Sequence, residues 1–315
     1  MKDGSKATRI LISCAAVSVC FTGGVSSAQA SQFEPQSIVY CPSGSARAAP
    51  GVLVLGGAEG GNKWATAVAE DLADHGYAAM PKAHFRSPGL DGQLVNIPLE
   101  RLKQGIDQLI RDPCVDHERI AVLGFSKGAE GALLLASSDQ RIKAVVAGSP
   151  TDVVWQGIDR ISGAVASSWT RDGRPLAFVP FAACKECRSL GALYTKSRQV
   201  SEASGAAAIP IERARGPILL IASGSDAVWP SKTMAEAIRT RLERRGFPYQ
   251  VTLLQYPDGG HFTLGPPAAD EAKSDAEFGG GTMEGVLSAR RDSWPKMLSF
   301  LNAAFRDKAP PERQK

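Results

Sequence analysis

The chain has 315 residues, of which 43% are hydrophobic and 22% charged, with a formal net charge of +4. That is enough chain to bury one large core or split into two domains, and the composition is that of an ordinary globular protein. No basic block and no interleaving of basic with aromatic residues is present, so nucleic acid is excluded as an expected partner.

In chain order, Lys2, Lys6 and Arg9 make a positive start, and an apolar run follows from Ile10 to about Phe21. Small residues then lead to Ala28-Gln29-Ala30. This is the pattern of a signal peptide over residues 1–30, with cleavage after Ala30 and export to the periplasm or the outside. Half of the net charge leaves with it. Leu11-Ile12-Ser13-Cys14 looks like a lipoprotein box, but too little apolar sequence precedes it, and lipidation is not expected. The run is too short for a spanning helix, which needs about 20 residues, so no integral membrane segment is expected after cleavage.

Of six cysteines, Cys14 and Cys20 fall in the leader, and Cys41, Cys114, Cys184 and Cys187 remain. An even number in an exported chain favours disulfides. The preferred pairing is Cys184–Cys187, closing the Cys-x-x-Cys segment, with Cys41–Cys114. Free thiols and a metal or redox role are the alternatives. Zinc would need further ligands at metal spacing, and none are present, so no metal is expected.

From Gly51 onward, short apolar runs alternate with amphipathic stretches. Val52 to Leu55 reads as a strand buried on both faces. Trp64 to His75 reads as a helix stopped by Gly76, and Tyr77 to Met80 as a strand stopped by Pro81. Leu99 to Ile110 is a helix, Ile120 to Leu123 a strand, Ala129 to Ala136 a helix and Ala144 to Ala147 a strand. Residues 151–210 break the rhythm with glycines, prolines, tryptophans and the close cysteine pair. Ile218 to Ala222 (strand), Ser231 to Arg245 (helix), Tyr249 to Gln255 (strand) and Ser288 to Phe305 (helix) resume it. The polar tail 306–315 reads as frayed. The expected fold is therefore α/β, a mainly parallel sheet with helices on both faces, in one domain over 31–305 with a cap or lid insertion at about 151–210.

The strongest motif is Gly124-Phe125-Ser126-Lys127-Gly128, set between the strand Ile120–Leu123 and the helix after it. That is the context of a nucleophile elbow, in which a serine sits on a sharp turn and glycines let strand and helix approach. The alternative is an ordinary turn with a capping serine. A serine hydroxyl needs a base, and in this architecture acid and then histidine follow the serine. Of His75, His84, His117 and His261, only His261 lies after Ser126. The other three read as exposed residues at helix ends or in loops. Asp226, after the strand Ile218–Ala222, is the expected acid, with Asp258 as runner-up. The backbone N–H of Lys127 and that of Ala58, in the loop Gly56-Gly57-Ala58-Glu59-Gly60-Gly61, are the expected oxyanion donors, with Glu59 as the alternative to Ala58. The loop lacks the endings of a P-loop or a Gly-x-Gly-x-x-Gly motif, so neither nucleotide nor any other cofactor is expected. The side chains of Lys127, Glu59 and Glu130 read either as solvated or mutually paired charges or as a network that fixes the elbow or meets a polar leaving group.

Gly124-Phe125-Ser126-Lys127-Gly128-Ala129-Glu130 resembles the elbow of the acyl-CoA thioester hydrolase and bile acid-CoA:amino acid N-acyltransferase family, in its C-terminal α/β-hydrolase domain. The loop Gly56–Gly61, Ile97-Pro98-Leu99-Glu100, Ser168-Trp169-Thr170 with Pro175-Leu176, Gly224-Ser225-Asp226 with Trp229-Pro230-Ser231, and Gly260-His261 with Pro266-Pro267 fit it in the same order. The resemblance implies an α/β-hydrolase fold, a triad of Ser126, Asp226 and His261, and a middle insertion like the family's own. Members carry an N-terminal β-sandwich where only residues 31–50 stand here. A serine nucleophile, where the conjugating acyltransferases use cysteine, favours hydrolysis. The expected activity is hydrolysis of small-molecule acyl thioesters. A carboxylesterase or dienelactone-hydrolase-like enzyme is the alternative, and a non-catalytic binding module on the same fold is the alternative of another class.

Overall fold

A computed structural model describes residues 38–44, 47–201, 205–267 and 269–306. The expected leader, its cleavage site, the lipoprotein-like box and all of the polar tail beyond Arg306 lie outside the described residues. The elements run β1 (Ala49–Leu55), α1 (Lys63–Asp74), β2 (Ala78–Pro81), β3 (Ile97–Pro98), α2 (Leu99–Leu109), β4 (Val115–Phe125), α3 (Lys127–Ala136) and β5 (Ile142–Gly148). After these come β6 (Trp169–Arg171), β7 (Arg174–Pro175), α4 (Leu190–Val200), β8 (Ile218–Ser223), α5 (Ser231–Arg244), β9 (Val251–Tyr256), α6 (Ala269–Gly279) and α7 (Met283–Phe305).

Six strands form one sheet in the order β2-β1-β4-β5-β8-β9, and every pairing in it is parallel. Side chains alternate across it, as strand geometry requires. Leu53, Leu55, Val122, Val145, Ala147 and Leu220 face α2, α3 and α5, while Val52, Val54, Leu123, Val146, Leu219 and Ile221 face α1 and α7. Both faces are covered, which is why these strands read as continuous apolar runs rather than alternating ones. Burying each such Val, Leu or Ile side chain contributes roughly 1.5–3 kcal/mol, so the sheet holds the bulk of the fold's hydrophobic stabilisation.

Every strand and helix expected from the sequence is present, and among these the differences lie at edges and in polar stretches. Pro81 belongs to β2 instead of stopping it, paired opposite Val54. β2 is an edge strand, where a missing N–H is tolerated. Strand β4 begins at Val115: the polar stretch Asp116–Arg119 carries no hydrophobic signal, but Val115 pairs with Ala49 and Asp116 with Pro50. Helix α7 begins at Met283, capped by Thr282, whose Oγ1 accepts the Gly285 N–H at 2.9 Å.

The excursion between β5 and β8 is less irregular than its sequence. It contains β6 and β7, which join β3 in a second, three-stranded sheet, and the helix α4. It also has a core of its own: Val153, Trp155, Val179, Tyr194 and Ala207 pack with Trp229 and Met234. Helices α4 and α6 escaped the periodicity test because each buries so little. In α4 only Tyr194 and Ser197 are buried. Two disulfides are present, Cys41–Cys114 and Cys184–Cys187, as the preferred pairing had it. Among the described residues no helix is long and apolar enough to cross a membrane.

Candidate active site

Parallel strands deliver their following loops to one edge of the sheet, and the candidate residues collect there. Ser126 stands between β4 and α3 with φ 55° and ψ −121°, a backbone conformation that L-residues rarely adopt. The surrounding glycines make that turn possible. A Cβ on Gly124 would lie 2.2 Å from Gly128 O, and one on Gly128 would lie 2.2 Å from Leu55 O. Ser126 occupies the N-cap position of α3 but makes no capping hydrogen bond with its side chain. Its Oγ instead lies 2.8 Å from His261 Nε2. The ordinary capping-serine alternative is thereby disfavoured by geometry.

His261 is buried between Ser126 and Asp226. Its Nδ1 lies 3.0 and 2.9 Å from the two Asp226 carboxylate oxygens. The two side chains are only 3% and 1% exposed, so water competes little for this contact. Asp226 is itself held, because Oδ1 accepts the backbone N–H groups of Val228 (2.9 Å) and Trp229 (3.1 Å). The imidazole is packed by Phe125, Trp229 and Phe262, and its backbone N–H donates to Gly279 O at 2.8 Å. Asp258, the runner-up acid, is exposed, and Asp226 already takes up His261 Nδ1.

A cavity of about 530 Å³ opens onto this row. Ala58, Ser126 and Lys127 share its wall. The backbone N–H groups of Ala58 and Lys127 donate to no protein acceptor among the described residues. One apolar flank is built by Phe181, Leu193, Tyr194 and Trp229, another by Trp64, Phe262 and Phe278, while Arg86 and Arg160 also reach it.

The three charged side chains near the elbow separate into two groups. Lys127 and Glu130 are fully buried and paired at 2.8 Å, against the solvated reading. Lys127 Nζ also donates to Ser168 Oγ at 2.6 Å, and Glu130 Oε1 accepts Trp155 N and Trp169 Nε1, each at 3.0 Å. The pair therefore ties the start of α3 to the excursion after β5. Burial pushes the Lys127 ammonium down and the Glu130 carboxyl up, each opposed by the partner's charge. Glu59 takes no part in this network. It folds back onto its own loop, accepting the Gly57 N–H at 2.8 Å.

One expectation about the other histidines is corrected. His75 and His117 are exposed, but His84 is buried at 2% exposure, between Phe85 and Trp169. It follows the buried edge strand β2 into the core, where an isolated polar residue gives no hydrophobic signal. Burial first, then the charges of Arg101 and Lys127, lower its pKa to about 3.

Residues 97–307 match the family described as BAAT / acyl-CoA thioester hydrolase, C terminal. The chain belongs to this family. Among related BAAT and thioester hydrolase proteins, mouse acyl-coenzyme A thioesterase 6 is 26% identical over 277 residues, covering 84% of this chain. Mouse bile acid-CoA:amino acid N-acyltransferase is 25% identical over 290 residues, covering 88% of this chain. The chain spans 62% and 65% of the length of those two relatives. Among solved structures, a dienelactone hydrolase-like promiscuous phosphotriesterase from metagenomic libraries matches with a TM-score of 0.53 at 19% identity, covering 86% of this chain and 98% of that one. An acylaminoacyl peptidase from Pyrococcus horikoshii matches with a TM-score of 0.55 at 15% identity, covering 88% of this chain and 42% of that one. At these identities the structural matches speak for the α/β-hydrolase fold.

Within this family domain, cavity residues that sequence reasoning missed are ones with no motif: Phe181, Leu193 and Tyr194 on one flank, Phe278 on the other. Trp229 had a signal, its place in the Trp-Pro-Ser segment just after Asp226, but no role was read from it.

Proposed function

We propose that the protein is a serine hydrolase that cleaves small-molecule acyl thioesters through Ser126, His261 and Asp226. The observation that carries this reading is His261 itself, hydrogen-bonded at Nε2 to Ser126 Oγ and at Nδ1 to the buried Asp226 carboxylate. A serine hydroxyl is a weak nucleophile until a neighbouring base takes its proton. In the proposed sequence, Ser126 Oγ attacks the acyl carbonyl as His261 Nε2 takes the proton. The Nδ1–H donates to Asp226, which holds the tautomer and stabilises the imidazolium. The developing oxyanion receives the N–H groups of Lys127 and Ala58, and the N-terminal end of α3 adds its positive dipole. His261 then gives the proton to the leaving sulfur, and a water molecule attacks the acyl-Ser126 ester by the same steps in reverse.

The flank of Phe181, Leu193, Tyr194 and Trp229 suits an apolar acyl chain, and Arg86 and Arg160 suit an anionic leaving group. The excursion after β5 supplies Phe181, Leu193 and Tyr194 of that flank and thus takes the part of a cap. Family membership supports a thioester over an oxyester, since the relatives named above are acyl-CoA enzymes. The fold neighbours keep an oxyester or lactone as the second reading. The paired cysteines support an exported protein.

The test is a substrate panel on the chain beginning at Ser31, with acyl-CoA and p-nitrophenyl esters of several chain lengths, for wild type and Ser126→Ala. Loss of at least about 1000-fold in kcat is expected for the variant. Turnover retained in Ser126→Ala would overturn the assignment. A fluorophosphonate probe that leaves Ser126 unlabelled would favour a binding module on this fold.

A further inference from the structure

We propose that Glu59 is a positioning residue: its carboxylate ties off the Gly57 N–H and so sets the loop after β1 with the Ala58 N–H free to face the reacting carbonyl. The inference rests on the hydrolase reading above and deepens it.

The loop Gly56-Gly57-Ala58-Glu59-Gly60-Gly61 is two-thirds glycine, a composition that leaves a backbone free to wander unless something holds it. Gly60 and Gly61 are explained by their backbone, with φ of +70° and +66°. Gly56 and Gly57 are not in that region, so a different cause is needed. The space around them supplies one. A Cβ on Gly56 would lie 2.8 Å from Glu59 Oε1, and one on Gly57 would lie 2.7 Å from Glu59 Oε2. The two glycines bare the backbone so that a carboxylate can lie against it.

That carboxylate and the candidate nucleophile both flank Gly57. The Gly57 Cβ point that lies 2.7 Å from Glu59 Oε2 lies 3.1 Å from Ser126 Cβ. The rest of the loop is held elsewhere. Gly60 N donates to Gly57 O, Gly61 N donates to Phe85 O, and Arg86 Nη1 donates to Glu59 O. Among the described residues, only Glu59 accepts the Gly57 N–H. With that N–H consumed, it cannot compete as a donor, and the peptide plane before Gly57 is fixed. The next N–H, that of Ala58, is left without a protein partner on the cavity wall with Ser126.

Gly56 offers a second handle on the same contact. Beyond its chain neighbours, the only heavy atoms among the described residues within 4 Å of a Cβ there belong to Glu59. Gly56→Ala should therefore displace the carboxylate while touching little else. The experiment compares Glu59→Ala, Glu59→Gln and Gly56→Ala by p-nitrophenyl ester kinetics, by the rate of fluorophosphonate labelling at Ser126 and by thermal unfolding. Glu59→Ala and Gly56→Ala should each lower kcat about 10- to 100-fold, with KM within about threefold and the labelling rate falling in parallel, because only oxyanion-stage stabilisation is lost. Glu59→Gln should stay within about threefold of wild type, since its amide oxygen accepts the same N–H. Melting temperatures should stay within about 2 °C, as Glu59 is exposed. The inference is overturned by wild-type kcat in Glu59→Ala or Gly56→Ala, by a loss confined to KM, or by Glu59→Gln falling as far as Glu59→Ala. Wild-type protein that resists labelling at Ser126 would overturn the hydrolase reading and this inference together. Wild-type labelling with an unchanged rate in Glu59→Ala would overturn this inference alone.

Discussion

Lys127 Nζ and Glu130 Oε2 meet at 2.8 Å with their side chains 1% and 0% exposed, in the first turn of the helix that Ser126 precedes. Removing one member of such a pair strands a buried charge, which typically costs about 3–5 kcal/mol. Glu130→Ala also strips Trp155 N and Trp169 Nε1 of their acceptor. The expected outcome is a fall in melting temperature of about 10 °C. The double variant Lys127→Met/Glu130→Leu should be more stable than Glu130→Ala, because it leaves no unpaired charge. Calorimetry of the single and double variants checks this, and a double variant less stable than Glu130→Ala would contradict it.

His84 should make the fold sensitive to acid. Its pKa is lowered from 6.5 to about 3, by burial and then by Arg101 and Lys127. Between those values the unfolded chain binds a proton that the folded chain does not. Stability is therefore full above pH 6.5 and falls as the pH drops towards 3. At pH 4.5 the loss from this one group is about 2–3 kcal/mol. Urea unfolding at pH 7 and pH 4.5 should show a smaller loss in His84→Phe, which keeps a ring between Phe85 and Trp169. An identical loss in the variant would place the acid sensitivity elsewhere.

Gly128 should tolerate no side chain. A Cβ there meets Leu55 O at 2.2 Å and Gly56 O at 2.3 Å, both backbone atoms of β1 and its loop. Neither can swing aside as a flexible side chain would. Gly128→Ala should lower the melting temperature by more than about 10 °C or abolish soluble expression, as overpacking against backbone does at its worst. Ser126→Ala, by contrast, should remain folded. Soluble yield and thermal unfolding of the two variants distinguish a structural glycine from a chemical serine.

The two disulfides should contribute unequally. Cys41–Cys114 closes a loop of sequence separation 73, and Cys184–Cys187 one of separation 3. Chain-entropy arguments assign about 4 kcal/mol to the first and about 2 kcal/mol to the second. Cys41→Ser/Cys114→Ser should therefore be the less stable double variant in urea. The short bridge lies between Phe181 and Leu190, both on the cavity wall. Cys184→Ser/Cys187→Ser should accordingly raise KM for longer acyl esters more than for acetate. Unfolding curves and a chain-length series would show the reverse ranking if the short bridge were the main staple.

Much of the site was legible because parallel α/β architecture links chain order to position. Each strand opens onto the same edge, so an apolar run followed by Gly124-Phe125-Ser126-Lys127-Gly128 predicts where Ser126 must stand. The same rule reaches Asp226 after β8 and His261 after β9, whose neighbours along the chain carried enough signal. Helices α4 and α6 were not legible, because a helix that buries one or two residues leaves no period in its sequence.

Sequence by itself pointed to the sheet, to the sharp turn at Ser126 and to the candidate residues Ser126, Asp226 and His261 in their order, since each depends on residues close along the chain. Only the tertiary structure decided that Lys127 and Glu130 are buried, that His84 lies in the core, and that Glu59 turns back to Gly57 instead of joining Lys127. The reason is distance along the chain. The partners that bury the Lys127–Glu130 pair, Trp155, Ser168 and Trp169, stand 25 to 41 positions from the groups they bond. Whether a charge is solvated or paired is set by such partners, and no local pattern records them.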